Sequence, residues 1–323
     1  MLIWSVMTIQ QIYNLALEMG ISADPRGKDG VSKWLRQAEK KYEKLSETEK
    51  KEFHQDRLTN PYSDTNFHVG NPKKEVKTIM AGIDMEEPEL MLAAMSKDPI
   101  DLVIAHHPIG RSLSEIDDVM NLQADFMNMY GVPINVAEGI MRERIQQVAR
   151  SVSGANHMKV IDFAKRLNIG LINVHTPADN LCYQYLQNEM DAKKPETVGE
   201  VMEIIKNIPE YHQSVLNGAP PMIFAGSPEN RAGKVVAYDT TGGTSGAKEA
   251  YPELVKAGVG TVISMHMKDE PRDEALKNHL NVVMAGHIAS DSLGFNQFLD
   301  ELEKQGVKII PLGGLIRVKR TQK

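Results

Sequence analysis

Apolar residues recur along this chain in two rhythms, and the change from one to the other divides it. From Met7 to Ile21, residues Ile9, Ile12, Leu15, Ala16 and Met19 return at helical intervals, a stripe that Gly20 is expected to end. Two more helices are expected, around VSKWLRQAEKKYEKL (31–45) and over SETEKKEFH (46–54), the second opened by Ser46 with Glu49 as a capping box. Residues 60–72, NPYSDTNFHVGNP, read as an irregular connector. From residue 76 the rhythm becomes strand, helix, strand: VKTIMAGI, a Met- and Leu-rich crossover to Met95, then DLVIA. A helical stretch from Ser114 to Ala149, broken near Gly131 and Pro133, precedes the run GLINV. Further runs, KVVAY, VGTVIS, NVVMA and VKIIPLGGLIRV, follow a Pro- and Gly-dense passage over 217–246 that marks a lobe boundary. The pattern predicts an α/β protein of two lobes with an N-terminal helical extension over residues 1–73.

Three of the apolar runs end in histidine: DLVIAHHPIG (101–110), GLINVHTPADN (170–180) and NVVMAGHIASD (281–291). Buried parallel strands open at their carboxyl ends into clefts where α/β proteins place their chemistry. The last two loops share a spacing, His175 to Asp179 and His287 to Asp291, so each offers an imidazole and a carboxylate. Neighbours in a strand point to opposite faces, but Pro108 turns the chain so that His106 and His107 can both face one site. A lone histidine at a strand end is usually a hydrogen-bonded structural residue; three converging loops point instead to transition-metal binding. Six donors exceed the four of a closed tetrahedral ion. They suit two ions about 3.5 Å apart, bridged by a carboxylate, with positions left for water, which is the arrangement of metal-assisted hydrolysis.

These residues also carry a family resemblance. VKTIMAGIDMEEPEL (76–90), DLVIAHHPIG, NVHTPADN, KAGVGTVIS (256–264) and VVMAGHIASDSLG (282–294) occur in the order found in Nif-three-like proteins, over residues 74–320. That family is described as dinuclear-metal, toroidal hexamers. The resemblance implies that His106, His107, His175, Asp179, His287 and Asp291 hold two divalent ions per chain, of Zn, Fe, Mn, Co or Ni. It also implies a first α/β/α-type lobe from 74–190 with 281–323, a second from 191–280, and the metals in the cleft between them. Three places depart from the family pattern. Asp291 replaces the usual Glu, Pro177 replaces Asn in the middle loop, and SMHMKDE (264–270) stands where a Thr-Gly-acid turn is common. His266 and Asp269 are the substitutes there. The family is often labelled GTP cyclohydrolase type two, but no guanine-specific constellation is present.

The remaining features narrow the reading. No run approaches the ~20 apolar residues of a membrane span, and a net charge of −6 argues against nucleic-acid partners. The mixed run KKYEKLSETEKKEFHQDR (40–57) reads as a solvated amphipathic helix. MLIWSV is too short for a signal peptide and reads as an upstream start before Met7, and the single Cys182 fits a reducing, cytoplasmic setting as a buried helix residue. Asp84 is expected to cap the following helix, with orienting a histidine as the alternative. His54, His68 and His157 read as surface or structural residues. The turn DTTGGTSG (239–246) reads as a tight strand-to-helix turn, with anion binding through its backbone as the sharper alternative. No general base is identified; His266 and His279 are candidates without a defined partner. The expected function is a hydrolase acting on a small phosphate- or amide-bearing substrate, set against a ring-shaped metal-handling or regulatory scaffold.

Overall fold

Residues 6–320 are described by the computed structural model, so most of the opening MLIWSV segment lies outside the described residues. The apolar runs form strands β1 (Met7–Thr8), β2 (Phe67–Val69), β3 (Glu75–Val76), β4 (Thr78–Gly82), β5 (Leu102–Ala105), β6 (Gly170–Asn173), β7 (Met222–Ala225), β8 (Lys234–Asp239), β9 (Val259–Ser264), β10 (Asn281–Met284) and β11 (Lys308–Leu312). One sheet has the order β11-β4-β5-β6-β2, with only the edge strand β2 antiparallel, a second the order β7-β10-β9-β8, with only β7 antiparallel, and β1 and β3 form an antiparallel pair. Strands β5, β6 and β10 are buried at every residue, as parallel strands covered on both faces by helices must be. The architecture is mixed α/β in two lobes. No helix among the described residues is long and apolar enough to cross a membrane.

The pairings divide the chain differently from the expected partition. The resemblance places residues 281–323 in the first lobe, yet β10 lies between β9 and β7 in the second sheet; the chain returns to the first sheet only at β11, after helix His287–Lys304. A buried apolar run carries no mark of which sheet it joins. The connector 60–72 likewise contains β2, which pairs with β6, so the extension is part of the first sheet.

Helix Ile9–Ala23 has the expected stripe and a capping box of Thr8 and Gln11, but it runs past Gly20. That glycine serves a close approach: a Cβ there would lie 2.6 Å from Pro177 of helix Thr176–Lys193. Ser46 and Glu49 form the expected capping box. The stretch from 114 to 149 is divided into short helices at Ile116–Val119 and Asn121–Met129 and a long one, Ile134–Val152, which Pro133 precedes. At the centre, helices Thr176–Lys193 and His287–Lys304 touch backbone to backbone: a Cβ on Gly294 would fall 2.0 Å from the Ala178 carbonyl oxygen and 3.1 Å from Cys182 Cβ. Gly294→Ala must therefore force the helices apart, and a loss of about 3 kcal/mol is expected from overpacking. Urea unfolding midpoints check this, and a loss below about 1 kcal/mol would show that the helices separate freely.

Candidate metal centre

The carboxyl ends of the parallel strands in both sheets face one cleft. His106 and His107 leave β5, His175 leaves β6 and starts helix Thr176–Lys193, and His287 begins the helix that follows β10. The four-residue spacing now has a geometric meaning: Asp179 and Asp291 lie one turn into their helices, on the same face as their histidines, where the helix N-terminus favours negative charge. His106, His175, Asp179 and Asp291 are all buried; His107 is half-buried and His287 is 41% exposed in its side chain, so the cleft opens on that side.

These groups lie close to one another. His106 Nε2 lies 3.4 Å from Asp179 Oδ1 and 3.6 Å from Asp291 Oδ1; His175 Nε2 lies 3.7 Å from Asp179 Oδ2. Across the carboxylate, Asp291 Oδ2 lies 3.2 Å from His107 Nε2 and 3.5 Å from His287 Nε2. Most are too long for good hydrogen bonds, but two donors each ~2.1 Å from one tetrahedral ion stand about 3.4 Å apart. Two groups, His106 with His175 and Asp179, and His106 with His107 and Asp291, have ligand atoms all within 4.8 Å of one another and can hold a metal ion. His287 is outside both groups and approaches from the edge. The chemistry of the donors agrees: His106 Nε2, His107 Nε2, Asp179 Oδ1 and both Asp291 oxygens are buried without hydrogen-bond partners. Five such atoms in one spot would be costly in a merely structural cluster. The residues fit metal binding.

Three of the histidines are anchored through their other nitrogen. Nδ1 of His106 donates to the Val174 carbonyl (3.0 Å), that of His107 to Asp84 Oδ1 (2.7 Å), and that of His175 to Asp64 Oδ2 (2.7 Å), which also accepts from Thr176 Oγ1 (2.6 Å). Such bonds fix the ring and leave the Nε2 lone pair facing the cleft. Burial disfavours a charged His106, but Asp291 and Asp179 outweigh it and push its pKa up to about 10. Burial also opposes a charged Asp291, and the surrounding imidazoles, His106 first, hold its pKa below the ordinary value.

These shifts fix the sign of the pH dependence. In the metal-free protein the His106 contribution to stability is complete below pH 6.5 and is lost as pH rises to about 10, while that of Asp291 is lost as pH falls through the acid range. A metal needs the neutral imidazole, so loading at pH 7 should release at least one proton per chain, that of His106 first, and affinity should rise with pH towards 10. Calorimetric titration in buffers of different ionisation enthalpy measures this; zero release would show His106 entering neutral.

Several expectations change. Asp84 does not cap a helix, since Glu86 holds that position for helix Glu87–Ala94; it orients His107. His68 contacts Asn173 Oδ1 at 2.9 Å, and burial lowers its pKa to about 4. The glycine-rich turn is no anion site. Gln123 fills it, donating to the carbonyls of Gly242 and Thr244, and a Cβ on Gly246 would lie 2.7 Å from Gln123 Oε1. The helix after it, Ala250–Lys256, is only seven residues long. His279 is exposed at the amino end of β10, opposite the cleft, and Asp269 is exposed at the start of helix Asp269–Lys277. Cys182 is buried and belongs to neither metal group. Asp64 and Thr65 were missed altogether: Thr65 Oγ1 accepts from the His175 backbone N–H (3.0 Å), and both residues lie in the connector. An acidic residue beside two aromatics in a polar loop was the only local hint.

The fold can be set beside known structures. The chain matches the crystal structure of a NIF3 superfamily protein from Sphaerobacter thermophilus with a TM-score of 0.75 and 22% identity, covering 96% of this chain and 100% of that one. Reduced HcgD from Methanocaldococcus jannaschii matches with a TM-score of 0.51 and 15% identity, covering 82% and 95%. No protein-family model and no curated protein matches the sequence. At these identities the likeness is one of fold, and the chain has the fold of that NIF3 superfamily protein.

Proposed function

We propose that this chain is a NIF3-like dinuclear-metal protein and a metal-dependent hydrolase acting on a small polar substrate that carries a phosphate or amide group. The observation that supports it most is the set of five buried, partnerless ligand atoms shared between Asp179, Asp291, His106 and His107. Asp291 is the bridge in this reading, because Oδ1 faces His106 while Oδ2 faces His107 and His287. His106, His175 and Asp179 complete the inner position, His107 and His287 the outer one. Two bound divalent ions, of Zn, Fe, Mn, Co or Ni, would lower the pKa of water towards neutrality and polarise the substrate's oxygen.

The chain's own residues supply the rest. Asp84 keeps His107 in the tautomer whose lone pair faces inward, and Asp64 does the same for His175. The exposed His287 edge gives a substrate its approach, while the buried His106 side excludes bulk water. Assembly into a toroidal hexamer comes with the family resemblance, and a cytoplasmic location with the single Cys182; light scattering giving six chains per particle checks the first.

The test is elemental analysis of gently purified protein, followed by a screen of phosphomonoesters, phosphodiesters and amides with the metal found. About two ions per chain and a turnover lost in His107→Ala support the hydrolase. Two ions with no turnover on any of these classes leave the metal-handling scaffold as the better reading. A parent that binds no metal after reloading removes both.

A further inference from the structure

The two candidate positions are unequal in donors. The inner one has His106, His175, Asp179 and one oxygen of Asp291; the outer one has His107, His287 and the other oxygen of Asp291. On its remaining side lies an imidazole from a third strand end. We propose that His266 is the fourth ligand of the outer position, an inference that rests on the dinuclear reading above.

Three observations carry it. His266 follows β9, whose last residue, Ser264, is in register with Met284 of β10, so the β9 and β10 loops open side by side. Its ring stands 5.1 Å from that of His287, centroid to centroid, at an interplanar angle of 73°. The other neighbouring pairs in the cleft have the same spacing: 5.0 Å for His175 and His106, 5.4 Å for His106 and His107, 5.1 Å for His107 and His287. Five imidazoles thus form one row, with His266 at its open end.

The third observation is how the ring is held. His266 Nδ1 lies 2.9 Å from Ser245 Oγ and 3.4 Å from Asp239 Oδ2. Asp239 is itself fixed by Ser264 Oγ (3.0 Å) and the Gly246 N–H (3.3 Å). A ring held through Nδ1 with Nε2 left free parallels His175 on Asp64 and His107 on Asp84, with Ser245 here taking the hydrogen bond in front of the Asp239 carboxylate. The apparatus around Ser245 and Asp239 has a purpose in this reading that it lacks if His266 merely lines the wall. It also replaces the general-base role considered for His266 from sequence.

The consequence is a division of metal preference. An outer position of three imidazoles and one carboxylate suits zinc, cobalt or nickel; an inner position of two imidazoles and two carboxylates also accepts the harder manganese.

Cobalt(II) titration of the parent, His266→Ala and His266→Asn tests the proposal, followed by visible absorption and by competition with a chelator. The parent is expected to take up two ions per chain. Both variants should keep one at parental affinity and bind the second 10- to 100-fold more weakly, with an altered absorption band for that step. Variants that match the parent in both affinities and bands overturn the role of His266 while leaving the dinuclear centre intact. Equal weakening of both ions, or a lowered melting temperature of the metal-free variants, gives His266 a structural role and also overturns it. A parent that binds fewer than two ions overturns the dinuclear reading itself.

Discussion

Asp291→Ala is expected to empty both metal positions, taking the chain from two ions to nearly none after dialysis against a weak chelator. Its two oxygens face different partners: Oδ1 lies 3.6 Å from His106 Nε2, and Oδ2 lies 3.2 Å from His107 Nε2 and 3.5 Å from His287 Nε2. Removing it leaves each remaining set one carboxylate short and the two ions unscreened from each other. The metal-free protein should suffer as well. His106 is fully buried and draws its charge from Asp291, and removing one partner of a buried pair costs about 3–5 kcal/mol. Asp291→Glu keeps both oxygens on an arm one methylene longer, in a site only 1% exposed, so two ions at about tenfold lower affinity are expected from the crowding. Metal per chain and chelator competition measure both variants. If Asp291→Ala retained two ions, Asp291 would not be the bridge.

Asp64→Ala should be almost as damaging, although Asp64 reaches neither position. Its Oδ2 accepts from His175 Nδ1 and from Thr176 Oγ1, and the residue is 0% exposed. The variant strands two buried donors, each costing about 1–3 kcal/mol. It also frees the His175 ring to rotate, so metal affinity should fall 10- to 100-fold. Asp64→Asn separates the effects, because an amide oxygen can still accept one of the two bonds; most of the stability should return while part of the affinity loss remains. Affinity at the parental level in Asp64→Ala would mean that packing alone holds His175.

What could be read in the sequence was whatever lies within a few residues along the chain. A buried strand followed by His is such a signal, and so is His four residues before Asp in a first helical turn; these brought out His106, His107, His175, Asp179, His287 and Asp291. The relations that hold those groups in place are long-range. Asp64 meets His175 across 111 residues, and Gln123 fills the turn at Gly242 across 119. No periodicity encodes such a pairing. The membership of β10 failed for a related reason, since hydrophobicity fixes that NVVM is buried but not which neighbour it pairs with. Gly20 failed in the opposite way: glycine ends many helices, and here it admits Pro177.

The contact between Gly294 and Ala178 sits one turn beyond Asp291 and one residue before Asp179. The width of the chelating gap is therefore gauged by two helices pressed together at a point that binds nothing. A protein built this way can retune which ionic radius it accepts by widening or tightening that crossing, with every ligand unchanged. On the proposed dinuclear reading the shorter Asp291 fits such a narrow setting, and metal preference would belong to the packing of the helices as much as to the identity of the donors.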